Sequence, residues 1–313
     1  MPLGLRRGTV TAVLEELEEL VRLEVDEVAC VAYPRLTGPV EVGDDVLVNE
    51  QARLLGLGSG GFDVLYANLT RGLELSVEAG AHVMKLPYTP GQLALCHAEE
   101  TDELATSLAG LPVVLCTLHS QVAPVCAALS GVRVAYVQVA GGALPVSLSD
   151  SVRALKARGL VEVAVAVAPC LDGDVECVTA AAALAWSKAR GLDAAVCAVG
   201  PGIVGTASRL GHGALTLADA ANAASALGGR PVLAVRMSGA DPRERHRGVS
   251  HHSRAVLDLC LGVVTVPDAA EGDGWEEACA GLPLAHMGRG PEEDPDFFRA
   301  AFAAGVVARG LVG

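Results

Sequence analysis

The chain has 313 residues, a formal net charge of −14, 51% apolar residues and only 3% aromatics. That acidity excludes a general nucleic-acid binder, which needs a basic face to displace counterions, yet it permits one local basic pocket because salt screens fields over about 10 Å. Nine cysteines without a CxxC pair, several inside apolar runs such as "VVLCTL" and "DAAVCAVG", read as reduced buried thiols rather than a disulfide framework.

The opening "MPLGLRRGTV" lacks the apolar segment of a secretory signal. The uncharged stretch 111–132 is broken by Pro112, His119, Ser120, Gln121 and Pro124, which argues against a membrane span. A cytoplasmic protein is expected.

About the first ninety residues read as β structure. "GTVTAVLEEL" and "LVRLEVDEVACVAYP" alternate apolar and polar positions, although "AVLEELEELVRLEV" also fits a helix. Further apolar runs at Val46–Val48 and Val64–Leu69, separated by glycine turns, suggest a small antiparallel barrel or sandwich over residues 1–95. "KLPYTPGQ", residues 85 to 92, reads as a linker, with two prolines and a glycine.

From about residue 99 the rhythm changes to strand, turn, helix. Strands are predicted at Val113–Thr117, Val132–Val139, Val161–Ala168, Ala194–Val199, Pro231–Met237 and Val263–Val266. Helical stretches such as "SVRALKARG", "CVTAAAALAWSKARG" and "TLADAANAASALGG" alternate with them. This predicts an α/β domain over 96–313, a Rossmann-like parallel sheet with helices on both faces.

Ligands of such sheets bind at the carboxyl ends of the strands, where loops and helix N-termini face one edge. Five predicted loops there carry glycine or reactive side chains. "LHSQ" offers His119 and Ser120, with Ser120 expected as an N-cap. "AGGALP" follows Val139. "PCLDGDVE" contains Asp172, Asp174 and Glu176, either a carboxylate cluster for magnesium or proton transfer, or a cap for a helix starting near Val175. "GPGIVGTASRLGHG" has Gly200, Gly202 and Gly205 in GxGxxG spacing, followed by Thr206, with Thr216 as cap of the next helix. It reads as an anion cradle or as a tight packing turn. A nicotinamide site fits poorly, because Pro201 lacks an amide hydrogen and no acidic residue ends the following strand, which closes on Arg236.

The fifth loop, "RERHRGVSHHS" over 243–253, concentrates three arginines and three histidines in an acidic protein. Ser250 is placed to cap a helix of roughly 251–261, with His251 and His252 in its first turn. The helix dipole keeps those imidazoles neutral and able to act as bases. Arg243, Arg245 and Arg247 beside free helix amides form a predicted anion pocket. Adjacent histidines point about 100° apart on a helix, so a metal site is less favoured than an anion site. His82, His97 and His286 are read as incidental.

The phrases "YPRLTGPVEVGDDVLVN", "LGLGSGG", "MKLPYTPGQ", "TLHSQ", "GDVE", "GPGIVGTASRLG" and "ADPRERHRGVSHHS" resemble a bacterial family known only as domain-of-unknown-function family 3866. The resemblance runs from Tyr33 to Ser253 and implies that the glycine and Arg/His loops belong to the family's pattern. Asp172 stands where a small residue is expected, which favours Asp174 and Glu176 over it. The resemblance implies no reaction and leaves cofactor and metal unknown.

The leading expectation is an enzyme that binds a small anion, phosphorylated or carboxylated and conceivably a nucleotide, at the carboxyl edge of the sheet. His251, His252 and His119 would move protons, and Asp174 and Glu176 would hold a divalent ion. The alternative is a non-catalytic sensor or assembly protein. Neither nucleic acid nor membrane is expected as a partner, and a homodimer is the default assembly.

Overall fold

Five strands, β1 (Leu5–Glu16), β2 (Val21–Val25), β3 (Val28–Ala32), β4 (Asp45–Asn49) and β5 (Asp63–Asn68), make a closed barrel in the order β1-β2-β3-β5-β4. The computed structural model describes residues 3–56 and 61–313, so most of the glycine-rich phrase "LGLGSGG" lies outside the described residues. The long β1 closes the barrel by pairing through Leu5–Thr9 with β4 and through Val10–Glu16 with β2. Bulges between Val10 and Ala12 and between Val13 and Glu15 let it bend from one partner to the other. The β3–β5 pair is parallel and the others are antiparallel. Alternate residues, among them Val10, Leu23, Cys30, Val46 and Leu65, fill the interior. The segment that also fits a helix is therefore strand, because only the two-residue period lets its apolar positions share this core.

One-turn helices α1 (Pro34–Thr37) and α2 (Gln51–Leu54) join barrel strands. A hairpin, β6 (Val83–Lys85) and β7 (Leu93–Leu95), follows them. Residues 85–92 are the end and turn of this hairpin rather than an extended linker, and Lys85 is fully buried. The chain divides into two units, Met1–Leu95 and Cys96–Gly313.

The second unit is built on a six-stranded sheet, all parallel. Its strands are β8 (Pro112–Cys116), β9 (Val134–Val139), β10 (Val163–Val167), β11 (Val175–Cys177), β12 (Ala194–Val199) and β13 (Arg230–Ala234), ordered β11-β10-β9-β12-β8-β13. The order departs from the dinucleotide-binding one, in which the first strand neighbours the second; here β12 inserts between β8 and β9. After the single turn α3 (Ala98–Thr101), the main helices are α4 (Val122–Ala128), α5 (Asp150–Ala157), α6 (Ala180–Ala189), α7 (Thr216–Ala226), α8 (His251–Leu259), α9 (Trp275–Ala278) and α10 (Pro295–Gly310).

Strand residues alternate between two apolar layers. Val114, Tyr136, Val196 and Ala234 face Val125, Leu155, Trp275 and Phe298 of α4, α5, α9 and α10. Leu115, Val137, Cys197 and Leu233 face Leu184, Leu217 and Val256 of α6, α7 and α8. Helices thus cover both faces, and alanines keep them close to the sheet. No disulfide joins the cysteines among the described residues. No helix among the described residues is long and apolar enough to cross a membrane.

Several local expectations are corrected. The stretch at Val175 is the edge strand β11, because its backbone groups pair with Val165–Val167 instead of starting a helix. Of Val263–Val266 only Thr265 bridges to Val232. Ser120 does not cap: the Gln121 carboxamide accepts the Leu118 amide at 2.9 Å. Thr216 donates to the Ala140 carbonyl at 2.6 Å rather than accepting from its own helix.

Candidate functional site

Two loops at the carboxyl edge of the sheet lean on each other. The loop leaving β12 packs backbone to backbone against the loop leaving β9. A Cβ on Gly200 would lie 2.1 Å from the Ala143 oxygen, and one on Gly213 would lie 2.0 Å from the Gly141 oxygen. Backbone bonds from Val204 to Gly141 and from Gly213 to Val204 fasten the pair, and the Thr206 amide is spent on Gly211. Packing accounts for Gly200, while Gly202, Gly205 and Thr206 lie exposed on the outer part of the loop. An antiparallel bridge between Gly205 and His212 folds the loop back and returns His212 to the interior.

There His212 meets the segment after β13. That segment forms a short hairpin, β14 (Met237–Ser238) with β15 (Gly248–Val249), and then α8. Ser250 caps α8 as expected, its hydroxyl oxygen accepting the His252 amide at 3.2 Å. The Ser250 amide donates to the Arg236 carbonyl and the Arg236 amide to the Ser253 hydroxyl, which pins the start of α8 beside the end of β13.

Four of the eight histidines gather here. The His212 and His252 rings stack at 3.9 Å between centroids, and His251 lies 5.5 Å from His212 and 4.5 Å from His252. His246 sits 4.8 Å from His251 and 4.9 Å from His252, its Nδ1 2.7 Å from the Ser250 hydroxyl. Burial and nearby arginines depress all four imidazoles, His246 to about 3 and His252 to about 2. They are neutral at physiological pH. Adjacent helix positions do not prevent His251 and His252 from converging, because His212 arrives from another strand to meet them.

Beside the rings lies a buried ionic network. Asp241, fully buried, accepts Nε and Nη2 of Arg243 at 2.9 and 2.8 Å, and lies 3.4 Å from Arg236 and 3.5 Å from Arg289. Asp294 takes Arg289 at 3.1 Å and the Ser238 hydroxyl at 2.6 Å. Burial pushes the Asp241 carboxyl up, but hydrogen bonds and charge from Arg243, with the Arg236 charge, overcome it and hold the group below the usual range. Arg236 is 2% exposed, and burial with repulsion from Arg243 brings it down to about 10. Its Nη1 donates to His252 Nδ1 at 3.2 Å, so that nitrogen carries the lone pair. Arg245 is exposed but close enough to act on His251 and Arg236 through its charge, whereas Arg247 is simply exposed. His286 is not incidental: it is buried flat against Phe297 at 3.7 Å, and burial with the Arg236 and Arg289 charges lowers it to about 4.

Other expected residues stand apart. His119 Nδ1 is 3.2 Å from the Val199 carbonyl and must carry the proton, while its Nε2 is 2.6 Å from the Ser149 hydroxyl. Both nitrogens are thus engaged in joining β8, β12 and the cap of α5. The loop after β10 crosses back to the amino end of the sheet before β11 begins. Asp174 there accepts the Ala164 amide at 2.8 Å and Lys156 at 2.5 Å, and Glu176 lies within β11. The expected grouping of Asp174 and Glu176 with the histidines is corrected, because a strand rather than a helix follows them. Asp172 occupies a left-handed position, φ 63°, and accepts the Ser147 hydroxyl.

Sequence reasoning did not single out His212, Asp241, Arg289 or Asp294. The one local hint for His212 is its setting between Gly211 and Gly213, where a polar ring sits on backbone tight enough to need glycine.

No curated protein matches the chain. Residues 29–278 match the model of a family described as "Protein of unknown function (DUF3866)", and the match runs from β3 to α9, including both site loops. The chain belongs to the DUF3866 family.

Proposed function

We propose that the protein is an enzyme that binds a small anion, a phosphate- or carboxylate-bearing metabolite, at the carboxyl edge of its parallel sheet. One observation carries this reading: in a chain of net charge −14, the arginines Arg236, Arg243 and Arg289 share, among the described residues, two carboxylates, Asp241 and Asp294. Arg245 adds a further positive charge at the mouth. Arg236 is buried and Arg289 and Arg243 are partly withdrawn from water, so an excess of positive charge there is costly, and an anion offsets that cost. Arginine forks suit the planar or tetrahedral oxygens of carboxylate and phosphate.

His252 and His246 are held too far below the physiological range to accept a proton, so proton transfer falls to a ring outside that pair. Of the expected proton carriers, His251 is the better placed: it is partly open to solvent, whereas His119 is engaged in the scaffold. Arg243 and Arg245 are the proposed anion contacts, and the exposed Gly202, Gly205 and Thr206 border the same loop as His212. Cysteines without disulfides among the described residues suit a reducing compartment such as the cytoplasm.

Thermal melting with inorganic phosphate, nucleotides, sugar phosphates and small carboxylic acids tests the reading. A ligand at 100 times its Kd stabilises by about 2.7 kcal/mol, a readily measured rise in Tm. The rise should disappear in Arg245→Ala, whose exposed side chain can be removed without disturbing the core. No rise with any of these compounds refutes anion binding.

A further inference from the structure

We infer that His212, His251 and His252 form a three-histidine site for a divalent transition metal of the zinc class, with its open coordination position toward the arginines. One nitrogen from each ring can be chosen so that all three lie within 4.8 Å of one another. Nε2 of His251 and both nitrogens of His212 are buried without a hydrogen bond of standard geometry among the described residues, although the Arg209 backbone carbonyl still acts on the His212 ring. Buried polar atoms without partners are rare, and several converging on one point mark a missing ligand. Neutral imidazole is the donor zinc, cobalt and nickel prefer, whereas magnesium and calcium want oxygen. Three protein ligands leave a position for water or a substrate oxygen, the pattern of catalytic rather than structural zinc.

Binding requires two adjustments. At a zinc–nitrogen distance of about 2.0 Å, tetrahedral ligand atoms lie about 3.3 Å apart, so the rings must close in. A metal also lies in the plane of each ligating imidazole, so the 21° stack of His212 on His252 must open. Second, Arg236 Nη1 now donates to His252 Nδ1. Ligation through Nδ1 takes that lone pair, and ligation through Nε2 needs a proton on Nδ1. Either way Arg236 must release His252 and turn to Asp241, 3.4 Å away. His246 is a neighbour rather than a ligand: the converging ligand atoms are those of His212, His251 and His252, and its own Nδ1 is held by Ser250.

A dication beside Arg236 and Arg245 is opposed by their charge unless an anion joins it. The inference therefore rests on the proposed anion site for its coupling: phosphate and metal should tighten each other's binding.

Full-length protein stripped with chelator is titrated with Zn²⁺ alone by calorimetry and with Co²⁺ by visible absorption. One metal per chain and a tetrahedral cobalt spectrum are expected. His251→Gln, at a partly exposed position, and His212→Gln should each weaken Zn²⁺ binding by about 100-fold or more. His82→Ala, at an exposed position of the other unit, should change nothing. Melting curves verify that each variant is folded. Absence of Zn²⁺ binding, or equal binding by wild type and both folded glutamine variants, overturns the inference. Inorganic phosphate added in the presence of chelator separates the two readings. If phosphate still raises Tm while Zn²⁺ does not bind, the metal inference falls and the anion site stands. If Zn²⁺ binds and phosphate has no effect with or without it, the anion reading falls alone.

Discussion

His119 should make the fold acid-sensitive in a defined window. Burial lowers its imidazole from an ordinary 6.5 to about 4, opposed only in part by the Val199 carbonyl. An unfolded chain therefore takes up a proton near pH 6.5 that the folded chain refuses until about pH 4. The contribution is fully present above pH 6.5, declines as pH falls through that interval, and is lost below the folded value. At 1.36 kcal/mol per pH unit the interval is worth about 3.4 kcal/mol, and the ring's partial contact with solvent trims this to about 2–3 kcal/mol. His119→Asn isolates the effect: the shorter amide can still donate to the Val199 carbonyl, it does not titrate, and it loses the contact with Ser149. Urea unfolding of both proteins should be measured at about pH 8, 6, 5 and 4, which span the window. Other depressed histidines, such as His246 and His286, contribute to both proteins and cancel in the difference. The variant should be less stable at the alkaline end, and the gap should move in its favour by about 2–3 kcal/mol toward the acid end. Parallel stability curves would refute the argument.

The seam between the glycine loops and the ionic network make two further predictions. Gly200→Ala drives a Cβ to 2.1 Å from the Ala143 oxygen, a backbone atom that cannot rotate away. It should cost about 3 kcal/mol by chemical unfolding, and a cost below about 1 kcal/mol would show that the seam yields easily. Asp241→Asn leaves Arg236 buried and Arg243 without its bidentate partner, so it should lower stability by about 3–5 kcal/mol. Inorganic phosphate should recover more Tm in this variant than in wild type, and an unchanged melting curve without phosphate would show that the carboxylate does not hold the arginines.

Much of the architecture was legible because it depends on short-range regularities. The apolar run Ala194–Val199 is a strand with the predicted bounds, since every residue is buried from both faces of a parallel sheet. Gly191 and Gly228 take left-handed positions just after α6 and α7, a conformation that glycine adopts without strain. Ser250 caps α8 because capping needs only an oxygen and an amide two residues away. Where short-range signals competed, the sheet decided. "GDVE" has the composition of a helix start, yet the open edge of β10 offers backbone partners, and pairing with them makes Val175–Cys177 a strand. That pairing alone carries Asp174 to the opposite end of the sheet.

The sequence by itself determined the α/β alternation, the cationic segment and the neutral histidines at a helix start. Tertiary structure decided which groups meet. His212 stacks on His252 because β12 inserts between β8 and β9 and the glycine seam turns its loop inward; Arg289 and Asp294 reach Asp241 from a still later segment. Periodicity and capping act over a few residues, but strand order is chosen by packing across the whole domain, so no local pattern encodes the meeting of distant loops.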